Sequence, residues 1–372
     1  MKKKKILIIA LAQSSHTQSW LELIDENQFE VKLFGISNSS ISQNFLWLRI
    51  IKRLIYRVDE FYGCRLENWW LKRIIKKWQP NIVHTLGLEP ATINFLIIHK
   101  KIKNSCKYKW IVTIRGGSDL ELERFDLQKQ PIFRQIFTNC DSVFADNKIT
   151  YSYAYELGLD KNKKPPLEFT PGTGGMDIEK LSKLRKIKTS KLRIILWPKA
   201  CEGIYSKGLP VLEAIKMVWT KIKPCQIIMT AVTPDFQLWL AALPLEIRKN
   251  IKIYDRIPRA NLLKLMAKAR VVLLPSLIDG IPNSLYEAMA CKTFPIVSPL
   301  ETIQTVVTKE NVLFARNLYP NEIASVLEKV MTDDVLVDKV VINNLSLVKK
   351  VADKKKIGQK VNDYYREITN ET

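Results

Sequence analysis

The stretch Val271–Thr293, VVLLPSLIDGIPNSLYEAMACKT, restricts the possible folds more than any other part of the chain. Val271–Leu274 is a short apolar run without polar alternation, ended by Pro275. Such a run reads as a strand buried on both faces, which belongs in a parallel sheet covered by helices. A turn-forming segment follows, Asp279-Gly280-Ile281-Pro282-Asn283-Ser284, and then a helical one, Leu285–Ala290. Asn283 or Ser284 is expected to cap that helix, and Gly280 lets backbone amides come close to a ligand. A helix start with its first amides open attracts anions. Glu287 is expected in the first turn, where its carboxylate would accept two sugar hydroxyls, and Asp279 flanks the same loop. The arrangement suits a ligand that joins phosphate to sugar. An ordinary α/β strand–loop–helix unit has the same outline, and spacing alone leaves both readings open.

The same unit recurs. Strands are expected at Ile6–Ala12, Phe29–Phe34, Asn81–His84, Trp110–Ile114 and Ser142–Ala145, then at Leu192–Trp197, Gln226–Ala231, Ile251–Tyr254, Val271–Leu274 and Phe294–Ser298. Helices are expected at Gln18–Asp25, Ile149–Leu157, Leu209–Ile222, Glu322–Val330, Val340–Val351 and Lys354–Ile368. Strands alternating with helices give an α/β fold of Rossmann-like type. The first strand–loop–helix lacks G-x-G-x-x-G, which argues against a bound dinucleotide. A length of 372 residues exceeds one ordinary domain. The turn-rich Glu168–Asp177 and the basic Ile178–Leu192 mark the boundary. The expected domains are therefore residues 1–178 and 179–350, with a terminal helix at 351–372.

Charge narrows the partners. The formal net charge is +22, a field that favours phosphorylated substrates, anionic lipid or nucleic acid. No nucleic-acid motif accompanies it, so nucleic acid is not expected. The cysteines, Cys64, Cys106, Cys140, Cys201, Cys225 and Cys291, have no metal spacing and read as reduced thiols. His16, His84 and His99 form no ligand pair, so no protein metal site is expected. The start, MKKKKILIIALAQSS, has the outline of a secretion signal, but its short apolar run reads better as the first strand. No apolar stretch is long enough to span a bilayer. Phe45–Tyr62 and Trp69–Trp78 read as basic, aromatic-rich amphipathic helices, suited either to an anionic membrane surface or to packing on the sheet.

Pro275, Ser276, Gly280, Pro282, Glu287, Ala288, Met289 and Ala290 fit the pattern PS-x-x-E-G-x-P-x-x-x-x-E-A-M-A, with Asp279 at the first acid. On these residues the chain resembles the family 4 glycosyltransferases. The resemblance implies a GT-B fold, two Rossmann-like αβα domains facing an interdomain cleft, with the C-terminal helix returning to the first domain. It implies a retaining, metal-independent transferase of hexosyl type with no resident cofactor. Lys199 and Lys207-Gly208 fall where the family grips the donor diphosphate, though lysine at 199 lacks an arginine's fork. The implied donor residues are Lys199, Lys207, Gly280, Ile281, Pro282, Asn283, Ser284 and Glu287. Ser15-His16-Thr17 resembles the loop bordering the acceptor. Arg115-Gly116-Gly117-Ser118-Asp119 resembles an H-G-S-D loop in which Arg115 replaces the histidine, closing proton chemistry there. His16, Thr17, His84 and Asp119 are thus the implied acceptor residues, and Asp279, Arg115 and Lys199 the implied catalytic ones.

The implied partners are a nucleotide sugar and a glycan or lipid-linked acceptor in bacterial surface polysaccharide synthesis. The expected location is cytoplasmic, and the basic, aromatic-rich segments extend that expectation to a peripheral place at the inner face of the plasma membrane. The substitutions at Asp279, Lys199 and Arg115 keep a second reading open, a nucleotide-sugar-binding protein that has lost catalysis.

Overall fold

The computed structural model describes residues 3–36, 65–163, 165–255 and 257–370. Its contacts divide the chain into two units, residues 1–174 with 355–372, and residues 175–354. In unit 1 five parallel strands, β1 (Lys4–Ala10), β2 (Phe29–Gly35), β3 (Ile82–Leu86), β4 (Lys109–Thr113) and β5 (Ser142–Phe144), lie in the order β2-β1-β3-β4-β5. Alternation along β1 sends Leu7 and Ile9 to one face and Ile6, Ile8 and Ala10 to the other. The first face is covered by the helices Arg65–Trp78, Ile93–Ile102 and Gln130–Asn139, through Ile75, Phe95 and Ile136 among others. The second is covered by Trp20 and by Ile357, Val361, Tyr365 and Ile368 of the last helix, Lys354–Asn370. Both faces are covered over the inner strands, which read as apolar runs, whereas the edge strand β2 carries Glu30 and Lys32.

Two details of unit 1 depart from expectation. The first helix runs Ser15–Leu21, earlier than Gln18–Asp25, because Ser14 is already extended and opens it. β3 continues past its expected end at His84 through Thr85 and Leu86. His84 and Thr85 remain in the sheet because side chains around them supply partners. The expected helix Phe45–Tyr62 lies wholly within residues 37–64, outside those described.

Unit 2 holds six parallel strands, β6 (Ile194–Trp197), β7 (Gln226–Thr230), β8 (Ile251–Tyr254), β9 (Val271–Leu274), β10 (Phe294–Val297) and β11 (Leu313–Phe314), in the order β11-β10-β9-β6-β7-β8. Ile195, Trp197, Leu273 and Met229 pack under the helices Leu209–Ile222 and Pro320–Thr332, while Leu196, Val272 and Ile228 pack under Asn283–Ala290. The edge strand β11 was not expected; two residues carry no period. The helix Asp334–Val351 starts earlier than expected because Asp333 caps it, accepting from the Leu336 amide at 2.9 Å. Among the described residues no helix is long and apolar enough to cross a membrane.

Candidate functional site

The unit 2 site is built at the C-terminal ends of β6 and β9, where open α/β sheets bind ligands. After β9 the chain leaves through Pro275 into the loop to Asn283–Ala290. Ser298 Oγ accepts from the Ser276 amide at 2.9 Å, the Tyr205 carbonyl accepts from the Leu277 amide at 2.7 Å, and Thr302 donates to the Asp279 carbonyl at 2.7 Å. The loop is thus held from three sides. Pro282, rather than Asn283 or Ser284, occupies the cap position. Its fixed φ and extended ψ of 128° start the helix directly after it, and proline has no capping oxygen. Glu287 consequently lies beyond the first turn, not in it, and is only 6% exposed.

Arg259, at the start of the helix Arg259–Met266, sends both Nε and Nη2 to Glu287 Oε1, each at 2.7 Å. Burial pushes the Glu287 carboxyl upward in pKa, while Arg259 and then Lys199 pull it back. Lys199 follows β6 and is exposed, so two cations of unit 2 act on this one carboxylate.

The second loop, Pro198–Gly208, is more occupied than expected. Glu202 Oε1 takes Lys207 Nζ at 2.9 Å, and Glu202 Oε2 accepts from the Gly208 amide at 2.8 Å. Asn317 clamps the same corner, accepting from the Lys207 amide at 2.6 Å and donating to the Lys207 carbonyl at 2.8 Å. A Cβ on Gly208 would meet Phe236 Cε2 at 2.4 Å, so only glycine fits. The donors foreseen for a phosphate, Lys207 and a helix-start amide, therefore hold a carboxylate of the chain itself.

In unit 1 the foreseen residues are drawn inward. Asp119 accepts from the Leu88 amide with both oxygens at 3.0 Å and from the Arg115 amide at 2.8 Å, joining the loops after β3 and β4. Burial raises its pKa to about 6 against those bonds. Arg115 Nη2 donates to Thr17 Oγ1 at 3.2 Å, and burial lowers the guanidinium to about 10. His16, next to Thr17 in the sequence, donates from Nδ1 to the Gly172 carbonyl at 3.1 Å. His84 requires a correction. It was expected to face an acceptor, but it is 0% exposed, with Nδ1 2.6 Å from Tyr365 Oη and Nε2 2.7 Å from Thr113 Oγ1. Burial, with Arg115 nearby, lowers it to about 3, so it is neutral at working pH.

Unit 2 thus brings Lys199 and Glu287 together, and unit 1 joins Thr17, Arg115 and Asp119, with His84 behind them. Arg259, Glu202, Asn317 and Ser298 were not foreseen. The Arg259 signal was present in the segment Ile253–Ala269, but a charge there names no partner until the helices are packed. Among the described residues no group of three or more His, Cys, Asp or Glu side chains is gathered as for a metal ion.

No curated protein matches the sequence. Solved structures match in fold. A glycosyltransferase from Rickettsia africae ESF-5 has a TM-score of 0.72 at 15% identity, over 100% of both chains. Sucrose-phosphate synthase from Thermosynechococcus elongatus has a TM-score of 0.71 at 14% identity, again over 100% of both. HepE from Anabaena, solved with UDP-glucose, has 0.71 at 12% identity over 98% of this chain and 100% of that one. Those likenesses and the two parallel sheets show the GT-B fold, and residues 208–345, which carry Arg259, Asp279 and Glu287, match the family described as glycosyl transferases group 1.

Proposed function

We propose that the chain is a retaining, metal-independent glycosyltransferase of hexosyl type that moves a sugar from a nucleoside diphosphate sugar to a glycan or lipid-linked acceptor. The observation that carries this reading is Glu287, a buried carboxylate in the family-matched segment, paired with Arg259 and felt by Lys199. In this reading Glu287 accepts the ribose hydroxyls, the amides of Gly280–Ser284 border the phosphates, and Lys199 and Lys207 take the diphosphate. Asp279 lies by the donor sugar. Lys199 stabilises the leaving charge electrostatically, and an oxygen of the leaving diphosphate takes the acceptor proton, so no protein nucleophile is needed. Arg115 holds a phosphate or sugar hydroxyl on the acceptor side with His16, while the buried Thr17 and Asp119 hold Arg115 in place through its side chain and its amide. The reading calls for no resident cofactor.

HepE was solved with UDP-glucose, so uridine donors come first in the test. A thermal-shift screen over nucleotide sugars should show one that raises the melting temperature, and that donor should then release its sugar with EDTA present. Binding without release would favour the degenerate reading, which draws on Arg115, a group unsuited to proton transfer. The role in surface polysaccharide synthesis, at the inner face of the plasma membrane, is supported by the exposed Leu66, Trp69 and Trp70 on the basic helix Arg65–Trp78. Trp78 is buried and is no part of that surface. Trp69→Ala with Trp70→Ala should reduce binding to phosphatidylglycerol vesicles; equal binding by the variant would remove the membrane reading.

A further inference from the structure

We infer that Arg259 is a positioning residue for the nucleotide, holding one oxygen of Glu287 and keeping that carboxylate an acceptor while the other oxygen takes the ligand. The inference rests on the reading of Glu287 as the nucleoside anchor and adds the residue that makes it competent.

The geometry carries the argument. A side chain 6% exposed sits in surroundings that favour a neutral carboxyl. A neutral carboxyl has one O–H donor and less accepting capacity, whereas two ribose hydroxyls that donate need acceptors. Both Arg259 bonds go to Oε1, at 2.7 Å each. Glu287 Oε2 takes no hydrogen bond among the described residues. The arginine therefore supplies charge and orientation through one oxygen and leaves the other for a ligand. The other groups that face Glu287 are Lys199, from the loop after β6, and the Cys291 thiol one turn along its own helix. Burial raises that thiol to about 12, so it adds no charge. Lys199 is assigned to the diphosphate, which leaves Arg259 to hold the carboxylate. Arg259 is 40% exposed, so replacing it opens no core cavity.

The probe is whichever of UDP, GDP and ADP raises the melting temperature most, followed by calorimetric titration between pH 6 and 9. Each affinity is read as the ratio of variant to wild type at the same pH, which cancels the titration of the ligand's terminal phosphate near pH 6. Arg259→Gln should bind about ten-fold more weakly at pH 7 and recover toward wild type by pH 9, because losing a nearby cation raises a carboxyl pKa by about one to three. Arg259→Lys should fall between, keeping the charge without the fork. Glu287→Gln should bind weakly at every pH. If Glu287→Gln is weak and Arg259→Gln matches wild type, the inference fails while the reading of Glu287 stands. If Arg259→Gln is equally weak at all pH values, Arg259 contacts the ligand directly and positioning is overturned. If Glu287→Gln binds like wild type, or none of the three nucleotides binds, the anchor itself is wrong and the inference falls with it.

Discussion

The two units run the same parallel-strand plan and treat their polar strand ends in opposite ways. In unit 2 the charges are paired with opposite charges, Lys207 with Glu202 at the surface and the part-exposed Arg259 with the buried Glu287. An exposed pair such as Lys207 with Glu202 is weak and exchanges readily. In unit 1 the polar groups close on one another and on the backbone. His84 is sealed between Tyr365 and Thr113, and Asp119 spends both oxygens on amides. A polar residue at a strand end is thus a reagent or a rivet according to what the distant chain brings to it.

The contrast breaks most visibly at Tyr365. Tyr365→Ala removes a fully buried ring and leaves His84 and Trp20 without their phenol partner. A loss of about 3–5 kcal/mol is expected in urea unfolding of unit 1, against about 1–3 kcal/mol for Tyr365→Phe. Equal small losses for both would mean that the network holds nothing together.

Donor binding comes next. Glu287→Ala should weaken nucleoside diphosphate binding by about 1–3 kcal/mol. Lys199→Ala should weaken the diphosphate and spare the nucleoside. A matched fall of nucleoside and diphosphate in Lys199→Ala would remove that lysine from the phosphate.

Acid separates the units further. His84 has a folded pKa of about 3, below its unfolded value of about 6.5. The unfolded chain therefore binds the extra proton between those values, and stability falls as pH drops from about 6.5 toward 3, by up to about 1.4 kcal/mol per pH unit. Asp119, raised to about 6, acts with the opposite sign between about 6 and its unfolded 3.8. The difference between wild type and His84→Gln isolates the histidine, and a variant with the same acid slope would contradict its neutral burial.

The smallest effect is expected at Glu202. Glu202→Gln frees Lys207 from its carboxylate, and UDP affinity should rise about three-fold, the scale of an exposed ion pair. Weaker binding would show that Glu202 serves the ligand and does not compete with it.

Strand positions in both units were legible in the sequence because parallel strands covered on two faces are continuous apolar runs, and β1 and β9 show this directly. Asp279 and Glu287 were legible because their pattern is local. What escaped depends on residues far along the chain. Asn317 reaches Lys207 across 110 positions, and Tyr365 reaches His84 across 281. The cap at Asn283 or Ser284 was misplaced because a good capping side chain stood beside a proline whose backbone angle decided the start.

Unit 1 is completed by residues 355–372, whereas unit 2 is continuous from 175 to 354. On a ribosome the strands β1 to β5 emerge long before the helix that covers Ile6, Ile8 and Trp20. Domains synthesised first ordinarily fold first. Here the first-made sheet keeps one apolar face uncovered while the whole of unit 2 is translated, so unit 2 is the first able to finish. The nascent chain waits on its last helix, and a premature stop before Lys354 would strand the first half of the protein rather than merely shorten it.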